Sequence, residues 1–155
     1  MVVEADGMSP GPGVRADPIV LLELRGYAIR AEDVLAAVEH PAAGGVTAFF
    51  GYVRAEDGGR PVRTLEYSAH PSAGELLRGV ADRVAGAHPV IRLAAVHRVG
   101  RLAVGELAVA VAVGCAHRDA AFRATRQLID EVKNEVPIWK HQVFTDGSQE
   151  WVGSG

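Results

Sequence analysis

The sequence predicts an α+β fold: a single domain with a mostly antiparallel sheet, hairpins and about three helices. Strand-like and helix-like segments alternate irregularly, without the regular strand–helix–strand repeat that indicates a parallel sheet. Several strand-like segments are joined by short turns rich in glycine, aspartate and proline, which is typical of hairpins. The length of 155 residues and the hydrophobic content of 48% suffice for one domain with a buried core.

Each element follows from a local pattern. Apolar runs rich in β-branched and aromatic residues predict strands. In chain order these are residues 19–24, 45–53, 62–68, 91–99, 106–113, 138–144 and 150–152. Apolar residues at helical spacing predict helices over 31–39, over a segment that includes 76–84, and over about 119–136, where Pro137 ends the helix.

Turn chemistry predicts which strands are neighbours. The loop 56–61 has the sequence EDGGRP, so we expect strands 45–53 and 62–68 to form a hairpin. A turn around Gly100 and Gly105 should join strands 91–99 and 106–113, and Asp146-Gly147 should turn the chain before its last strand.

Composition excludes several classes of function. The net charge is −3, which gives no electrostatic basis for a nucleic acid or a membrane as the main partner. A single cysteine, Cys115, makes neither an internal disulfide nor a cysteine-rich metal site, and is consistent with a reducing cytoplasm. Metal-ligand spacing and phosphate-binding glycine signatures are also absent from the sequence. Residues 1–16 are predicted to be a disordered tail, with the domain over 17–155.

The distribution of lysine is unusual. Of sixteen lysine and arginine residues only Lys133 and Lys140 are lysine, and both lie in the run KNEVPIWK. Lysine gives up its proton near neutral pH once burial or a nearby cation lowers its pKa, whereas arginine does not. The two lysines are therefore candidates for a nucleophile or an acid–base pair.

Spacing predicts that the two amines meet. Lys133 shares a helix face with Phe122, Arg126 and Ile129, and it lies shortly before the break at Pro137. In the next strand Ile138, Lys140 and Gln142 alternate onto one face, so a turn between helix and strand brings both lysines to one pocket. From spacing alone, two solvated surface lysines are the commoner outcome.

Other candidates are weaker when each is taken alone. Arg54 ends an apolar strand beside a glycine-rich loop, and His117-Arg118 opens the long helix, so both places favour an anion. We expect packing and ion pairing for His97-Arg98, and a buried, inert thiol for Cys115.

Six segments together resemble the large, catalytic subunit of molybdopterin synthase. They lie in that family's order and spacing over roughly residues 17–152. They are FFGYVR (49–54), GRPVRTLEY (59–67), AAVHRVGRLAVGE (94–106), AHRDAAF (116–122), IDEVKNEVPIWK (129–140) and DGSQEW (146–151).

The resemblance implies an α/β hammerhead fold and a sulfurtransferase. The family inserts two sulfurs into cyclic pyranopterin monophosphate, which makes the dithiolene of molybdopterin. The donor is a small ubiquitin-like subunit whose C-terminal Gly-Gly ends in a thiocarboxylate. The large subunit forms a homodimer within a heterotetramer, and sulfur transfer requires neither metal nor cofactor.

Roles carry over through matching motifs. Lys133 and Lys140 are implied as catalytic residues, Lys133 at the donor's carbonyl and Lys140 on the pterin side. Phe49 and Ile129 are implied as pocket walls. Substrate binding is implied for both lysines and for Tyr52, Val53, Arg54, His117, Arg118, His141 and Gln142. At 141 and 142 the family more often has a basic residue and a glutamate, so an acid–base role for position 142 is not expected here.

Helix length adds a hypothesis about assembly. Arg118 and Lys133 lie fifteen residues apart on one predicted helix, which is roughly 22 Å at 1.5 Å per residue. One pterin phosphate does not span that distance, so we expect each pocket to combine His117 and Arg118 of one protomer with the lysines of its partner. Two rival hypotheses are a non-catalytic module that binds a ubiquitin-like partner or an anionic ligand, and a thiol enzyme that uses Cys115 and His117.

Overall fold

The structure, a computed structural model, describes residues 17–153, and the predicted tail over 1–16 lies outside them. The described residues contain nine strands and three helices. In chain order these are β1 (Ile19–Arg25), α1 (Ala31–Ala37), β2 (Gly45–Tyr52), β3 (Glu56–Asp57), β4 (Arg60–Ala69), α2 (Ala73–Ala87), β5 (Val90–Arg98), β6 (Gly100–Leu102), β7 (Leu107–Cys115), α3 (Arg118–Glu135), β8 (Ile138–Phe144) and β9 (Gln149–Val152). The predicted α+β class is confirmed.

The first sheet forms the core and has the strand order β1-β5-β7-β2. Its pairs are antiparallel except for β1 and β5, which run parallel. Every residue of β7 is buried, because α2 and α3 cover one face of the sheet and α1 covers the other. A strand covered on both faces takes a continuous apolar sequence, which explains the run LAVAVAV in β7.

The second sheet carries the hairpins. Its order is β3-β4-β8-β9, and β6 pairs with β4 outside this path. The turn between β3 and β4 uses Gly58 and Gly59, whose φ angles of 58° and 79° lie in the left-handed region that glycine tolerates best. All pairs in this sheet are antiparallel.

The predicted hairpin between strands 45–53 and 62–68 is wrong. β2 pairs with β7 in the first sheet, whereas β4 pairs with β8 in the second. The tight turn closes only the short hairpin of β3 and β4. Local turn chemistry acts on the residues beside the turn, whereas the partner of an apolar strand is decided by the faces that it buries.

The end of α3 positions the site. Val132 and Val136 are buried against the first sheet, Pro137 follows, and β8 begins at Ile138. Of the four residues expected to share a helix face, Phe122 is exposed and Ile129 is buried, with Lys133 between these extremes. Among residues 17–153, no helix is both long and apolar enough to cross a membrane.

Candidate active site

Lys133 and Lys140 line one cavity, which we call the lysine cavity. α3 contributes Lys133 and β8 contributes Lys140, because the chain reverses between them at Pro137. Tyr67 of β4 and His97 of β5 add polar groups to the same cavity. The remaining lining residues are apolar or glycine: Val132, Val136, Ile138, Val152 and Gly153. The cavity therefore places two amines in surroundings that are partly apolar.

The surroundings of Lys133 in the lysine cavity lower the pKa of its amine. Burial lowers the pKa of Lys133 below that of an ordinary lysine, and the nearby charge of Lys140 lowers it further. Each effect disfavours the ammonium form, burial through lost hydration and Lys140 through like-charge repulsion. A larger share of neutral amine makes Lys133 a better nucleophile than an ordinary exposed lysine.

His97 is a pocket residue for which the sequence analysis predicted only packing. Its Nδ1 lies 2.7 Å from the carbonyl oxygen of Arg98, and its ring meets the Tyr67 ring edge-on at 4.9 Å. A carbonyl only accepts, so Nδ1 carries the proton and Nε2 is left as an acceptor. Burial lowers the pKa of His97 to about 4; the Arg98 carbonyl opposes this shift and Lys133 adds to it. One available signal was a titratable residue directly after the apolar run Leu93–Val96. The expected ion pairing holds for Arg98, whose Nη1 lies 2.8 Å from Glu106.

A second cavity adjoins the first at the β3–β4 hairpin, and we call it the hairpin cavity. Lys140 and Tyr67 line both cavities, so they form the boundary between them. The hairpin cavity also brings together the predicted residues Tyr52, Val53, Arg54 and Gln142. The motif FFGYVR and the strand after PIWK thus meet at one place.

Asp57 is the residue of the hairpin cavity that the sequence analysis missed. Its carboxylate accepts a hydrogen bond of 2.7 Å from Gln142 Nε2, and it lies 3.7 Å from Lys140 Nζ and 3.4 Å from Arg54 Nη2. The Gln142 hydrogen bond is the main cause of a lowered pKa for Asp57; burial opposes it, and the charges of Lys140 and Arg54 support it. In the sequence Asp57 belongs to the turn over 56–61, and nothing in its local spacing points to β8.

Other predicted residues lie outside these two cavities. His117 and Arg118 line a separate surface depression at the start of α3, so they do not converge with the lysines within one chain. His141 faces away from both cavities and stacks on Trp151, with ring centroids 4.3 Å apart. Neither residue implied as a pocket wall lines these two cavities. Phe49 is exposed on β2, and Ile129 belongs to the core.

The structure also bears on thiol and metal chemistry. Cys115 is fully buried in the core, burial raises the pKa of its thiol, and His117 is exposed at the surface. A buried thiol with a raised pKa is a poor nucleophile, so the Cys115–His117 hypothesis has no structural support.

Within residues 17–153, no group of three or more histidine, cysteine, aspartate or glutamate side chains is placed to hold a metal ion.

Comparisons with known proteins agree with this geometry. The MoaE protein family matches residues 25–135. The chain is 41% identical to the molybdopterin synthase catalytic subunit of Nostoc sp. over 126 residues, which cover 80% of this chain and 76% of the relative. It is 39% identical to molybdopterin synthase catalytic subunit 1 of Mycobacterium tuberculosis over 123 residues, covering 79% and 83%. The crystal structure of molybdopterin synthase from Staphylococcus aureus superposes with a TM-score of 0.79 at 32% identity, covering 85% of this chain and 96% of that one. The chain therefore belongs to the family of molybdopterin synthase catalytic subunits.

Proposed function

We propose that this chain converts cyclic pyranopterin monophosphate to molybdopterin by inserting two dithiolene sulfurs. The donor is the C-terminal thiocarboxylate of a small ubiquitin-like subunit, and the working assembly is a homodimer within a heterotetramer in the cytoplasm. The observation that carries the proposal is the lysine cavity, in which both lysines of the chain meet beside the hairpin cavity. The name catalytic subunit, shared by the relatives, supports a further subunit as partner.

Lys133 fits the donor side of the reaction. A thiocarboxylate is an anion, which the ammonium form of Lys133 would attract. Once sulfur has bonded to the pterin, the intermediate is a thioester, and the neutral amine can attack its carbonyl carbon. The bond between the acyl carbon and sulfur then breaks and the thiolate stays on the pterin. The amine passes its proton to solvent as the donor's acyl group forms an amide with Lys133, and water must hydrolyse this amide to release the donor as a carboxylate before the next turnover. The lowered pKa of Lys133 supports this second role.

Lys140 fits the pterin side, because it lines both cavities. From that boundary its ammonium can stabilise negative charge or donate a proton to the substrate as sulfur adds. Arg54 lines the hairpin cavity and is exposed enough to turn toward a phosphate. We assign the remaining phosphate and pterin contacts to His117 and Arg118 of the partner protomer, because in their own chain they lie at the other end of α3.

The deciding experiment reconstitutes the reaction. Purified protein is mixed with cyclic pyranopterin monophosphate and a thiocarboxylated small subunit, and molybdopterin is measured for wild type, Lys133→Ala and Lys140→Ala. We expect each substitution to lower the rate by about 10²- to 10⁴-fold. Arg78→Ala is the matched control, because Arg78 makes exposed ion pairs on α2 and its loss should leave the rate unchanged.

Two outcomes contradict the proposal. A wild-type protein that binds the small subunit yet makes no molybdopterin would show a non-catalytic binding module. Full activity in both lysine variants would show that the site assignment is wrong. Intact mass spectrometry separates the two roles of Lys133: acyl transfer yields a covalent adduct of the two subunits, which Lys133→Ala cannot form, whereas charge stabilisation alone yields none.

A further inference from the structure

Asp57 connects three side chains at the boundary of the two cavities. One carboxylate oxygen, Oδ2, lies 2.7 Å from Gln142 Nε2 and 3.7 Å from Lys140 Nζ, whereas Oδ1 lies 3.4 Å from Arg54 Nη2. Asp57 comes from the two-residue strand β3, and both Lys140 and Gln142 come from β8. The contact therefore ties the β3–β4 hairpin to the strand that carries a proposed catalytic lysine.

Gln142 fixes the carboxylate in place. Its side chain is only 2% exposed, and a buried amide needs a hydrogen-bond partner. An ionised carboxylate only accepts, so the NH₂ group of Gln142 must be the donor to Asp57. Gln142 is itself held in the ladder between β4 and β8, where it pairs with Leu65. The carboxylate is thus anchored to the sheet and does not depend on the exposed side of the hairpin.

The anchored carboxylate can in turn restrict Lys140. A lysine side chain is flexible because it has four rotatable bonds. The distance of 3.7 Å between Lys140 Nζ and Asp57 Oδ2 is that of an ion pair and is longer than a direct hydrogen bond. The Lys140 side chain is 28% exposed, so it is not held by burial alone. A fixed negative charge on one side selects the rotamers that keep its ammonium at the boundary between the cavities.

We propose that Asp57 is the positioning residue of Lys140, and that Gln142 acts through Asp57. The inference rests on the proposed function of Lys140 on the pterin side. Asp57 itself need not touch the substrate. Its removal leaves the lysine present but poorly placed, and misplacement by about 1 Å is enough to cost about a hundredfold in rate.

The first test measures activity. Asp57→Asn keeps the size and the contact with Gln142 but removes the charge, so we expect kcat to fall by about ten- to hundredfold with binding of the small subunit unchanged. Asp82→Asn is the matched control, since Asp82 makes an exposed ion pair on α2. In Asp57→Asn/Gln142→Glu the amide and the carboxylate exchange places, and we expect kcat to recover in part. If the Asp57 contact only stabilised the hairpin, Asp57→Asn would lower the melting temperature without changing kcat, and that result would overturn the proposal.

The second test does not need the reaction. The chain has only two lysines, so acetylation by acetic anhydride, followed residue by residue with mass spectrometry, compares Lys140 with Lys133 in one tube. We expect Asp57→Asn to speed the labelling of Lys140 roughly two- to fivefold and to leave the labelling of Lys133 unchanged. This factor corresponds to the free energy of one partly exposed ion pair. Equal labelling of Lys140 in wild type and variant would sink the proposal. If wild type makes no molybdopterin but the labelling changes as expected, the proposed function fails and the positioning contact stands.

Discussion

At the scale of single residues, burial decides the chemistry of the site. Lys133 and His97 both line the lysine cavity, and for both burial is the main cause of a lowered pKa. The lysine cavity already holds two amines, so a protonated His97 would add a further positive charge to it. Holding His97 neutral therefore avoids a further like charge beside the two amines.

His97 should make the free energy of unfolding fall as the pH is lowered below about 6.5. Its pKa is about 4 in the folded protein and 6.5 ordinarily, so the unfolded chain binds the extra proton first. Stability is then fully present above pH 6.5 and is lost as the pH falls toward 4, by roughly 2–3 kcal/mol. In His97→Asn this part of the pH dependence should disappear, as measured by urea unfolding at several pH values. Parallel curves for the two proteins between pH 6.5 and 4 would contradict the prediction.

Cys115 provides a second test at the residue scale. Its thiol is fully buried in the core, so Cys115→Ala should lower the free energy of unfolding by about 1–2 kcal/mol through lost packing. Molybdopterin formation at a temperature where the variant is folded should stay at the wild-type rate. An enzyme that uses this thiol would instead lose its activity completely.

At the scale of elements, α3 connects the two regions that we propose to form the site. His117 immediately precedes this helix, Arg118 is its first residue, and Lys133 lies in its last turn. The start of the helix is seated closely on β2: a Cβ placed at Gly45 would lie 2.8 Å from the backbone nitrogen of Arg118. β2 and α3 are also joined by the hydroxyl groups of Thr47 and Thr125, 2.6 Å apart.

Gly45→Ala should therefore disturb the end of α3 at which we propose that an anion binds. Backbone atoms must move to admit the methyl group, which we expect to cost about 1–3 kcal/mol of stability and to raise KM for the pterin. Gly79→Ala is the matched control: Gly79 lies in α2 with open space around it, so alanine should add about 0.5–1 kcal/mol. Thermal unfolding and steady-state kinetics measure both. A Gly45→Ala protein with the stability and KM of wild type would show that the contact is unimportant.

At the scale of the whole molecule, the proposed homodimer determines which protomer supplies each part of the proposed site. Within one chain His117 and Arg118 line one region and the lysines line another. A composite site across a dimer would unite them, because a symmetric interface repeats each contact in both directions.

Mixing inactive variants tests this arrangement. If Arg118 of one protomer works with Lys133 of its partner, Arg118→Ala and Lys133→Ala proteins that are refolded together should regain roughly a quarter of the wild-type activity. Half of the randomly formed dimers contain both variants, and one of their two sites is intact. A mixture of Lys133→Ala and Lys140→Ala should stay inactive, because both changes affect the same half of the site. No recovery in the first mixture would mean that one chain supplies the whole site.

Much of the secondary structure was predictable from sequence, since it depends on local patterns. The strand over 138–144 matches β8 residue for residue, and the predicted helix over 119–136 is shifted by one residue from α3. The meeting of Lys133 and Lys140 was also predictable, because only a helix end, a proline and two strand residues separate them. The partner of β2 was not, because its pairing with β7 spans more than fifty residues and competes with a nearer hairpin.

The sequence by itself determined the α+β class, the family motifs and the two lysines that the chain keeps among fourteen arginines. The tertiary structure alone decided that His97 lines their cavity and that Asp57 meets Lys140 and Gln142 across more than eighty residues. Spacing along the chain describes neighbours on one element. The pKa of a lysine or histidine, and the partner of a carboxylate, depend on burial and on charges that distant strands bring within a few ångströms.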